Sequence, residues 1–324
     1  MFNLISFAAI VKLSLYFVNN FESGIYTEYS DNLTIAANEI RLNNYGIKYG
    51  FGTANSEIAD NTIIDNIGWY VTDVPEGPRG YGIFLNNSAV NITIEQNNIS
   101  NNYLGISIDA NNSTGIVIIS NLIAENALEG IRFNAPYDLA EEAVEPVVTD
   151  NAVYRNAEGP SLWILGEMSA NPMGIYGPGE FNPDLQLKID PNWYGTNTLR
   201  TWDEESGTVG VGTMCPRIQT STIRFNITEG GSPGTYQINF YKNGELATNL
   251  ATFDMCATLN YGSDKQIEAH FDVIGGTATF SFDKENFLES GNNIKFSVGS
   301  LINVSFRTYD VILTYNVTDD KIPA

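Results

Sequence analysis

Histidine and cysteine are nearly absent from this 324-residue chain, which has one histidine, His270, and two cysteines, Cys215 and Cys256. A structural zinc site uses about four nitrogen or sulfur ligands, and a serine or cysteine nucleophile is usually activated by a histidine. The composition therefore argues against zinc hydrolases, histidine-rich oxygenases and most triad hydrolases. We expect no metal and no cofactor, and the composition is more typical of a scaffold than of a catalyst.

Positive charge is also scarce, because 16 Lys and Arg residues stand against 38 Asp and Glu residues and leave a formal net charge of -22. A field of this sign repels polyanions, so nucleic acid and anionic membrane surfaces are poor partners. The apolar stretch 2–18 is interrupted by Lys12, follows no basic residue and precedes no small-residue cleavage site. We expect neither a signal peptide nor membrane insertion within this chain, and interpret its start as the β-rich beginning of a truncated reading frame.

Asparagine, in contrast, is abundant and regularly spaced between residues 30 and 200. The pattern apolar-x-x-Asn-x-apolar-x-x-Asn recurs, followed in most copies by Gly-apolar-x-apolar. Its first asparagine recurs after 23, 36, 24 and 30 residues, which indicates a short unit with insertions at 69–80 and 135–145. Self-similarity at a fixed period predicts a solenoid. The two asparagine columns are Asn38, Asn61, Asn97, Asn121, Asn151 and Asn192, and Asn43, Asn66, Asn102, Asn126 and Asn156.

Alternating apolar residues within each unit favour short strands over helices. We predict an all-β fold that begins with a right-handed parallel β-helix, a pectate-lyase-like solenoid, over residues 1–198. Each column asparagine is expected to adopt the left-handed conformation of a tight corner and to hydrogen-bond its neighbours along the axis. The glycine before the next strand is expected to permit a second bend. The predicted coils lie near residues 15–30, 32–56, 57–90, 91–113, 114–145, 146–165 and 185–198.

The last coil of a solenoid leaves backbone groups and apolar side chains uncovered unless something caps it. Trp193 and Tyr194 follow the last asparagine of the first column. We expect these two aromatic residues to form the end cap. An aromatic sugar platform at Trp193 is the alternative interpretation.

The repeat stops near residue 199, and residues 199–324 consist of short alternating runs separated by turn signals. About seven strands in roughly 120 residues predict an immunoglobulin-like β-sandwich. Cys215 and Cys256 could form a disulfide between two strands or remain buried thiols. We expect His270 to be a packed or surface residue without a chemical role. The predicted strands are 222–228, 234–241, 266–273, 276–282, 293–298 and 310–317.

Polysaccharide-cleaving enzymes occur among parallel β-helices, so the carboxylates beside the asparagine columns are candidates for a glycan-cleaving site. Their expected separations can be compared with those of catalytic carboxyl pairs. Neighbouring coils stack about 4.8 Å apart, so Asp60 and Asp150, three coils apart, would be about 14 Å from each other. Asp65 and Glu125 lie two coils apart, about 9.6 Å by the same spacing, near the upper limit for an inverting pair. Asp65 and Glu125 are therefore the best catalytic candidates, and a solvated acidic face is the interpretation that we favour.

Three segments carry a resemblance to a known family. The coils are followed by the closing segment 190–197, Asp-Pro-Asn-Trp-Tyr-Gly-Thr-Asn, and by a tail over 297–317 that contains Arg-Thr-Tyr-Asp-Val-Ile-Leu-Thr-Tyr-Asn-Val. Together they resemble adhesin-like surface proteins of methanogenic archaea, which join right-handed β-helix repeats, an Asn-Trp-Trp-Gly-type closing motif and Ig-like repeats. Tyr194 departs from that motif, since it replaces the second tryptophan.

The resemblance implies an exported, non-catalytic protein at the cell surface, with no catalytic residues to carry over. The β-helix would be a rigid stalk or a glycan-facing platform, the Ig-like domain a spacer, and the partners cell-surface glycans or other surface proteins. Export also agrees with the Asn-x-Ser/Thr glycosylation acceptors. The alternative is an extracellular polysaccharide lyase or glycoside hydrolase with an accessory sandwich. The acceptors are Asn32, Asn86, Asn91, Asn98, Asn111, Asn112, Asn226, Asn303 and Asn316.

Overall fold

The structure is a computed structural model, and it divides the chain into two compact units. One unit contains Met1–Asn192 and Arg200–Ser221, and the other contains Trp193–Leu199 and Thr222–Ala324. The predicted boundary at residue 198 is therefore displaced, because Val211–Gly212 pairs in parallel with Leu162–Leu165 and extends the first unit. The structure describes residues 3–4, 10–11, 16–18, 22–68, 80–86, 88–109, 113–134, 146–156, 162–165, 188–189, 192–193, 211–212, 223–298 and 313–317.

The first unit is a parallel β-helix, as predicted. Its described strands form three parallel sheets, and each coil contributes one strand to each sheet in turn. The first sheet contains Asn3–Leu4, Ser23–Thr27, Tyr45–Tyr49, Tyr81–Leu85, Leu104–Asp109, Ile131–Asn134, Leu162–Leu165 and Val211–Gly212. The second contains Ile10–Val11, Thr34–Ala36, Ala54–Ala59, Val90–Glu95, Val117–Ile119, Val147–Thr149 and Lys188–Ile189. The third contains Tyr16–Val18, Glu39–Arg41, Thr62–Ile64, Asn98–Ser100, Leu122–Ala124 and Ala152–Tyr154.

The interior of the solenoid is built from stacked isoleucines. In the third sheet, Ile40, Ile63 and Ile99 lie in register on successive coils and are fully buried. Equivalent stacks run through the other two sheets, for example Ile47 beneath Ile83. Burial of each such side chain contributes roughly 1.5–3 kcal/mol. Each coil therefore covers the apolar surface of the next.

The asparagines form two buried columns that run alongside these stacks. Asn61 Nδ2 donates to Asn97 Oδ1 at 3.0 Å, and the backbone N–H of Asn61 donates to the same oxygen at 3.0 Å. This double contact repeats from coil to coil, from Asn38 to Asn192 in the first column and from Asn43 to Asn156 in the second. Nδ2 of each amide also donates to main-chain carbonyls, as Asn61 does to Ala59 and Ile35. The columns thus satisfy buried polar groups that would otherwise be costly.

The left-handed corner residues are not the asparagines, contrary to our expectation. Among the described residues, the positive φ angle belongs to the residue immediately before the column asparagine, such as Asp60 (54°), Gln96 (53°) and Ser120 (56°). A non-glycine residue pays roughly 1–2 kcal/mol for this conformation. The following asparagine offsets that cost, because its side chain hydrogen-bonds the carbonyl two residues earlier. The corner residues in the part of the solenoid that the structure describes are Ala37, Leu42, Asp60, Asp65, Gln96, Asn101, Ser120, Glu125, Asp150 and Arg155.

The repeated glycine serves close packing and not the expected bend. Gly82 lies inside a strand without a positive φ. A Cβ atom at this position would lie 2.6 Å from the Gly105 carbonyl oxygen and 2.9 Å from Cγ2 of Ile99. Both neighbours belong to the next coil, so only glycine allows the observed stacking at this column.

We therefore predict that Gly82→Ala lowers the free energy of unfolding by about 1–3 kcal/mol through overpacking. The matched control is Gly231→Ala, since nothing lies within 4 Å of a Cβ built there. The control should change stability by less than about 0.5 kcal/mol. Denaturant titration followed by far-ultraviolet circular dichroism measures both, and equal midpoints for the two variants would contradict the close-packing explanation.

The second unit contains two antiparallel sheets, which confirms the predicted immunoglobulin-like sandwich. When the long strands are counted in chain order, the first, second and fifth lie in one sheet. The third, fourth, sixth and seventh lie in the other, and this division is typical of that fold. One strand, Phe253–Leu259, was missing from the predicted set. The first sheet contains Arg224–Glu229, Thr235–Lys242, Thr277–Ser281 and the short Glu245–Leu246. The second sheet contains Ile267–Val273, Phe253–Leu259, Asn293–Ser297 and Leu313–Asn316. A 3-10 turn spans Lys284–Asn286.

Trp193 belongs to the aromatic core of this second unit. Its ring centroid lies 5.8 Å from that of Phe225, 5.0 Å from Phe240 and 6.0 Å from Phe253, and the side chain is fully buried. We expected Trp193 to cap the solenoid, but the structure groups it with the sandwich. Tyr194, the other predicted cap residue, lies outside the described residues.

Cys256 is a buried cysteine in the second unit. Cys215 lies outside the described residues. Among the residues that the structure describes, no helix has the length and apolar character needed to cross a bilayer.

Candidate functional site on the outer faces

Asp65 and Glu125, the carboxylates favoured by the sequence, are both corner residues with a φ of 57°. They lie on alternate coils, because the N–H of Asp65 pairs with Ser100 and the N–H of Asn101 pairs with Ala124. At about 4.8 Å per coil the two corners are roughly 9.6 Å apart. Their placement follows the repeat, but it does not bring the two carboxylates together.

Glu125 is also engaged in an ion pair. Its Oε1 accepts a hydrogen bond from Nη1 of Arg155, the corner residue of the next coil, at 3.1 Å. The Glu125 side chain is 41% exposed, so the pair contributes at most about 1 kcal/mol. The corner charges of neighbouring coils thus compensate each other.

A closer carboxylate pair lies on the outer face of the second sheet. Glu57 and Glu95 stand on neighbouring coils and share a side-chain hydrogen bond, with Asp60 nearby. Burial raises the pKa of Glu95 above its usual value, and the hydrogen bond and the charges of Glu57 and Asp60 add to this effect. Glu95 is therefore the carboxyl of this group that tends to keep a proton. We name Glu57, Asp60 and Glu95 the acidic cluster.

The raised pKa of Glu95 makes the stability of the fold depend on pH, and the direction of that dependence can be measured. The folded state binds a proton more readily than the unfolded chain, so this group destabilises the fold as pH rises from the ordinary pKa of a glutamate through its raised pKa, and the loss is constant above that. Glu95→Gln removes the repulsion and should raise the free energy of unfolding at pH 8 by a few tenths of a kcal/mol, about the scale of a surface charge pair. The gain should disappear at pH 3, where the carboxyls are protonated in both states. Thermal melts across this pH range measure the difference, and a gain that is constant with pH would contradict this account.

An aromatic strip occupies the outer face of the first sheet. The rings of Tyr45 and Tyr81 stack at 5.2 Å with 3° between their planes, and Phe84 lies 5.1 Å from Tyr81. Nζ of Lys48 lies 4.6 Å from the centre of the Tyr45 ring and 5.6 Å from that of Tyr26. All five side chains are half-buried. The strip, defined as Tyr26, Tyr45, Lys48, Tyr81 and Phe84, presents ring edges, hydroxyls and one ammonium group on neighbouring coils.

Sequence reasoning missed the strip, although a signal for it exists. Tyr45 and Tyr81 both precede the repeated Gly-Ile pair, whereas Leu104 takes the equivalent place on the next coil. Parallel register sets such residues side by side, so identical residues at one repeat position predict a stack.

His270, the one histidine, which the sequence analysis interpreted as a packed or surface residue, is exposed in the second sheet of the sandwich. Its Nε2 lies 2.9 Å from a carboxylate oxygen of Glu268, and the histidine side chain is 56% exposed. Across the strand pair, His270 stands opposite Cys256.

The chain is similar to one described protein family and to several solved structures. Residues 7–158 are similar to the family described as "Periplasmic copper-binding protein (NosD)". No protein with curated annotation matches the chain. One similar structure is the periplasmic alginate epimerase AlgG, with 17% identity, a TM-score of 0.39, and coverage of 64% of this chain and 43% of that one. Another is the enzymatically active domain of bacteriophage CBA120 tailspike protein 2, with 12% identity, a TM-score of 0.31, and coverage of 85% of this chain and 50% of that one. The chain thus spans half or less of the length of either structure.

Proposed function

We propose that this protein is a non-catalytic, extracytoplasmic scaffold whose β-helix is a rigid stalk that presents a glycan-binding face. The observation that carries the proposal is the pair of buried asparagine columns, in which the amide oxygen of every column asparagine after the first receives two hydrogen bonds from the preceding coil. Such columns make neighbouring coils cohere along the axis, which a stalk requires. The immunoglobulin-like sandwich would be a spacer, as in the adhesin-like surface proteins of methanogenic archaea that the sequence resembles.

An extracytoplasmic location is supported by the matched family, whose description names the periplasm. Glycosylation acceptors such as Asn91, Asn226 and Asn316 are exposed, as a secreted glycoprotein would require. Cell-surface glycans or other surface proteins are the proposed partners.

The aromatic strip is the proposed glycan contact. Tyrosine combines an apolar ring with a hydroxyl, which suits the apolar faces and hydroxyl groups of a sugar. Because Tyr45 and Tyr81 follow each other along the axis, a glycan chain lying parallel to the axis would meet both residues and Lys48.

A glycan array tests this proposal with the full chain and the variant Tyr81→Ala. We expect binding to at least one glycan class, and a loss of affinity of about tenfold, equal to 1.4 kcal/mol, in the variant. Tyr261→Ala is the matched control, since Tyr261 is an exposed tyrosine with Lys295 Nζ 4.4 Å from its ring centre. Absence of binding, or the same loss in both variants, would reject the strip as the contact.

Cleavage of a polysaccharide is the second candidate, and the acidic cluster favours it. A glycosidase uses a protonated carboxyl as its general acid, and the raised pKa of Glu95 suits that role. Release of reducing ends from uronate polymers is the assay. Activity that is lost in Glu95→Gln and kept in Glu245→Gln would support this candidate over the scaffold. Loss in Asp65→Asn or Glu125→Gln instead would assign the activity to the corner pair.

A further inference from the structure

Three potential metal ligands converge on one face of the sandwich, in a region that the proposed function does not use. Phe253–Leu259 and Ile267–Val273 pair antiparallel, with Cys256 directly opposite His270 and Thr258 opposite Glu268. Glu268 and His270 are two residues apart in one strand, so their side chains share a face. One ligand atom from each of Cys256, Glu268 and His270 lies within 4.8 Å of the other two.

We propose that Cys256, Glu268 and His270 form a binding site for a divalent transition-metal ion, with zinc as the best fit. Zinc accepts thiolate, imidazole and carboxylate ligands together, at bond lengths of about 2.0–2.3 Å. Tetrahedral ligands at those lengths are roughly 3.5 Å apart, so small side-chain rotations would close the site around the ion. Three protein ligands leave the fourth position to a water molecule.

The charges around the three residues favour a cation. Asp254 and Asp272 stand opposite each other on the next rung of the same strand pair and share a side-chain hydrogen bond. Across the sheet, the basic residue Lys295 stands opposite Thr258, and its Nζ lies over the Tyr261 ring. A carboxylate-rich surface raises the local concentration of cations and favours metal binding.

The buried thiol is the ligand that distinguishes a metal site here from an ion pair at the surface. Cys256 is fully buried and its Sγ lies 3.7 Å from Thr258 Oγ1, whereas the His270 side chain is largely exposed. An ion would therefore arrive from the histidine side and displace the thiol proton when it binds. A simple His270–Glu268 ion pair would involve no sulfur, so the experiment must detect a bond between the metal and the thiolate.

Titration of the metal-free full chain with Co²⁺ tests the site, because a cobalt–thiolate bond gives a charge-transfer band in the near ultraviolet. We expect the band in the natural protein, its removal by added Zn²⁺, and its loss in Cys256→Ser. The matched control is Cys215→Ser, which should keep the band. Because Cys256 is buried, His270→Gln provides the second test on an exposed residue that leaves folding intact, and it should weaken Zn²⁺ binding by at least about tenfold.

Three results would overturn the proposal. They are no thiolate band at excess Co²⁺, a band that depends on Cys215 instead of Cys256, and unchanged Zn²⁺ affinity in His270→Gln while its circular dichroism matches that of the natural protein. None of these results bears on the glycan-binding proposal, since the two sets of residues lie in different units.

Discussion

Replacing Asn97 by alanine is expected to destabilise the solenoid by about 3–5 kcal/mol, because lost hydrogen bonds contribute about 1 kcal/mol each and a buried unpaired donor costs about 1–3 kcal/mol. Asn97 Nδ2 donates to the carbonyls of Ile58 and Glu95 and to Asn121 Oδ1. Its Oδ1 accepts from both nitrogens of Asn61. Alanine removes all of these contacts, and the buried backbone N–H of Asn61 loses the acceptor that the Asn97 side chain provides. The left-handed corner at Gln96 loses its support as well.

The neighbouring residue Asn98 provides the control for this variant. Its side chain is half-buried, and its Oδ1 accepts one hydrogen bond, from Ser100 Oγ at 2.8 Å. Asn98→Ala should therefore cost less than about 1 kcal/mol. Denaturant midpoints followed by far-ultraviolet circular dichroism compare the two substitutions. Similar midpoints would mean that the columns do not hold the coils together, and the stalk proposal would lose its main support.

Replacing Trp193 by alanine is the other change with a large expected effect, about 3–5 kcal/mol on the stability of the sandwich. The indole fills the space among Phe225, Phe240 and Phe253, so its removal leaves a cavity in a core of rings. Denaturant unfolding followed by near-ultraviolet circular dichroism, which reports aromatic packing, measures this loss.

Trp193→Phe separates ring packing from polar contacts. The buried Nε1 of Trp193 has no hydrogen-bond partner among the described residues, so phenylalanine removes a donor that gains nothing from the fold. We expect this variant to retain more than half of the stability that alanine loses. Equal losses in the two variants would contradict the explanation that ring packing among the phenylalanines is what Trp193 contributes.

The repeat explains why the solenoid could be predicted from the sequence so closely. Identical residues at one period must stack in a parallel β-helix, so the asparagine columns and the isoleucine interior follow from spacing alone. The finer backbone geometry did not follow, because a column asparagine and the left-handed residue before it are adjacent, and the period is the same for both. Only coordinates assign the φ of 54° to Asp60 and not to Asn61.

The missed strand and the missed clusters have separate physical causes. Phe253–Leu259 lacks the usual alternation because Met255, Cys256, Ala257 and Thr258 are all fully buried. The sequence comparison took only the carboxylates immediately before the asparagine columns, so it included Asp60 but not Glu57 and Glu95. These two glutamates also stand at different repeat positions, because Glu57 pairs with Thr93 and Glu95 pairs with Ala59, a register offset of two residues. The proposed metal site draws a single histidine, cysteine and glutamate from two strands, and composition alone cannot show that they meet.

The asparagine columns also have a direction, since each amide donates toward the next coil and accepts from the one before. Every internal coil therefore meets the same donors on one side and the same acceptors on the other. A gene segment encoding one whole coil could be duplicated or deleted by recombination without leaving mismatched partners at either junction. Length is consequently the property that such a protein changes most easily during evolution, while its cross-section stays constant.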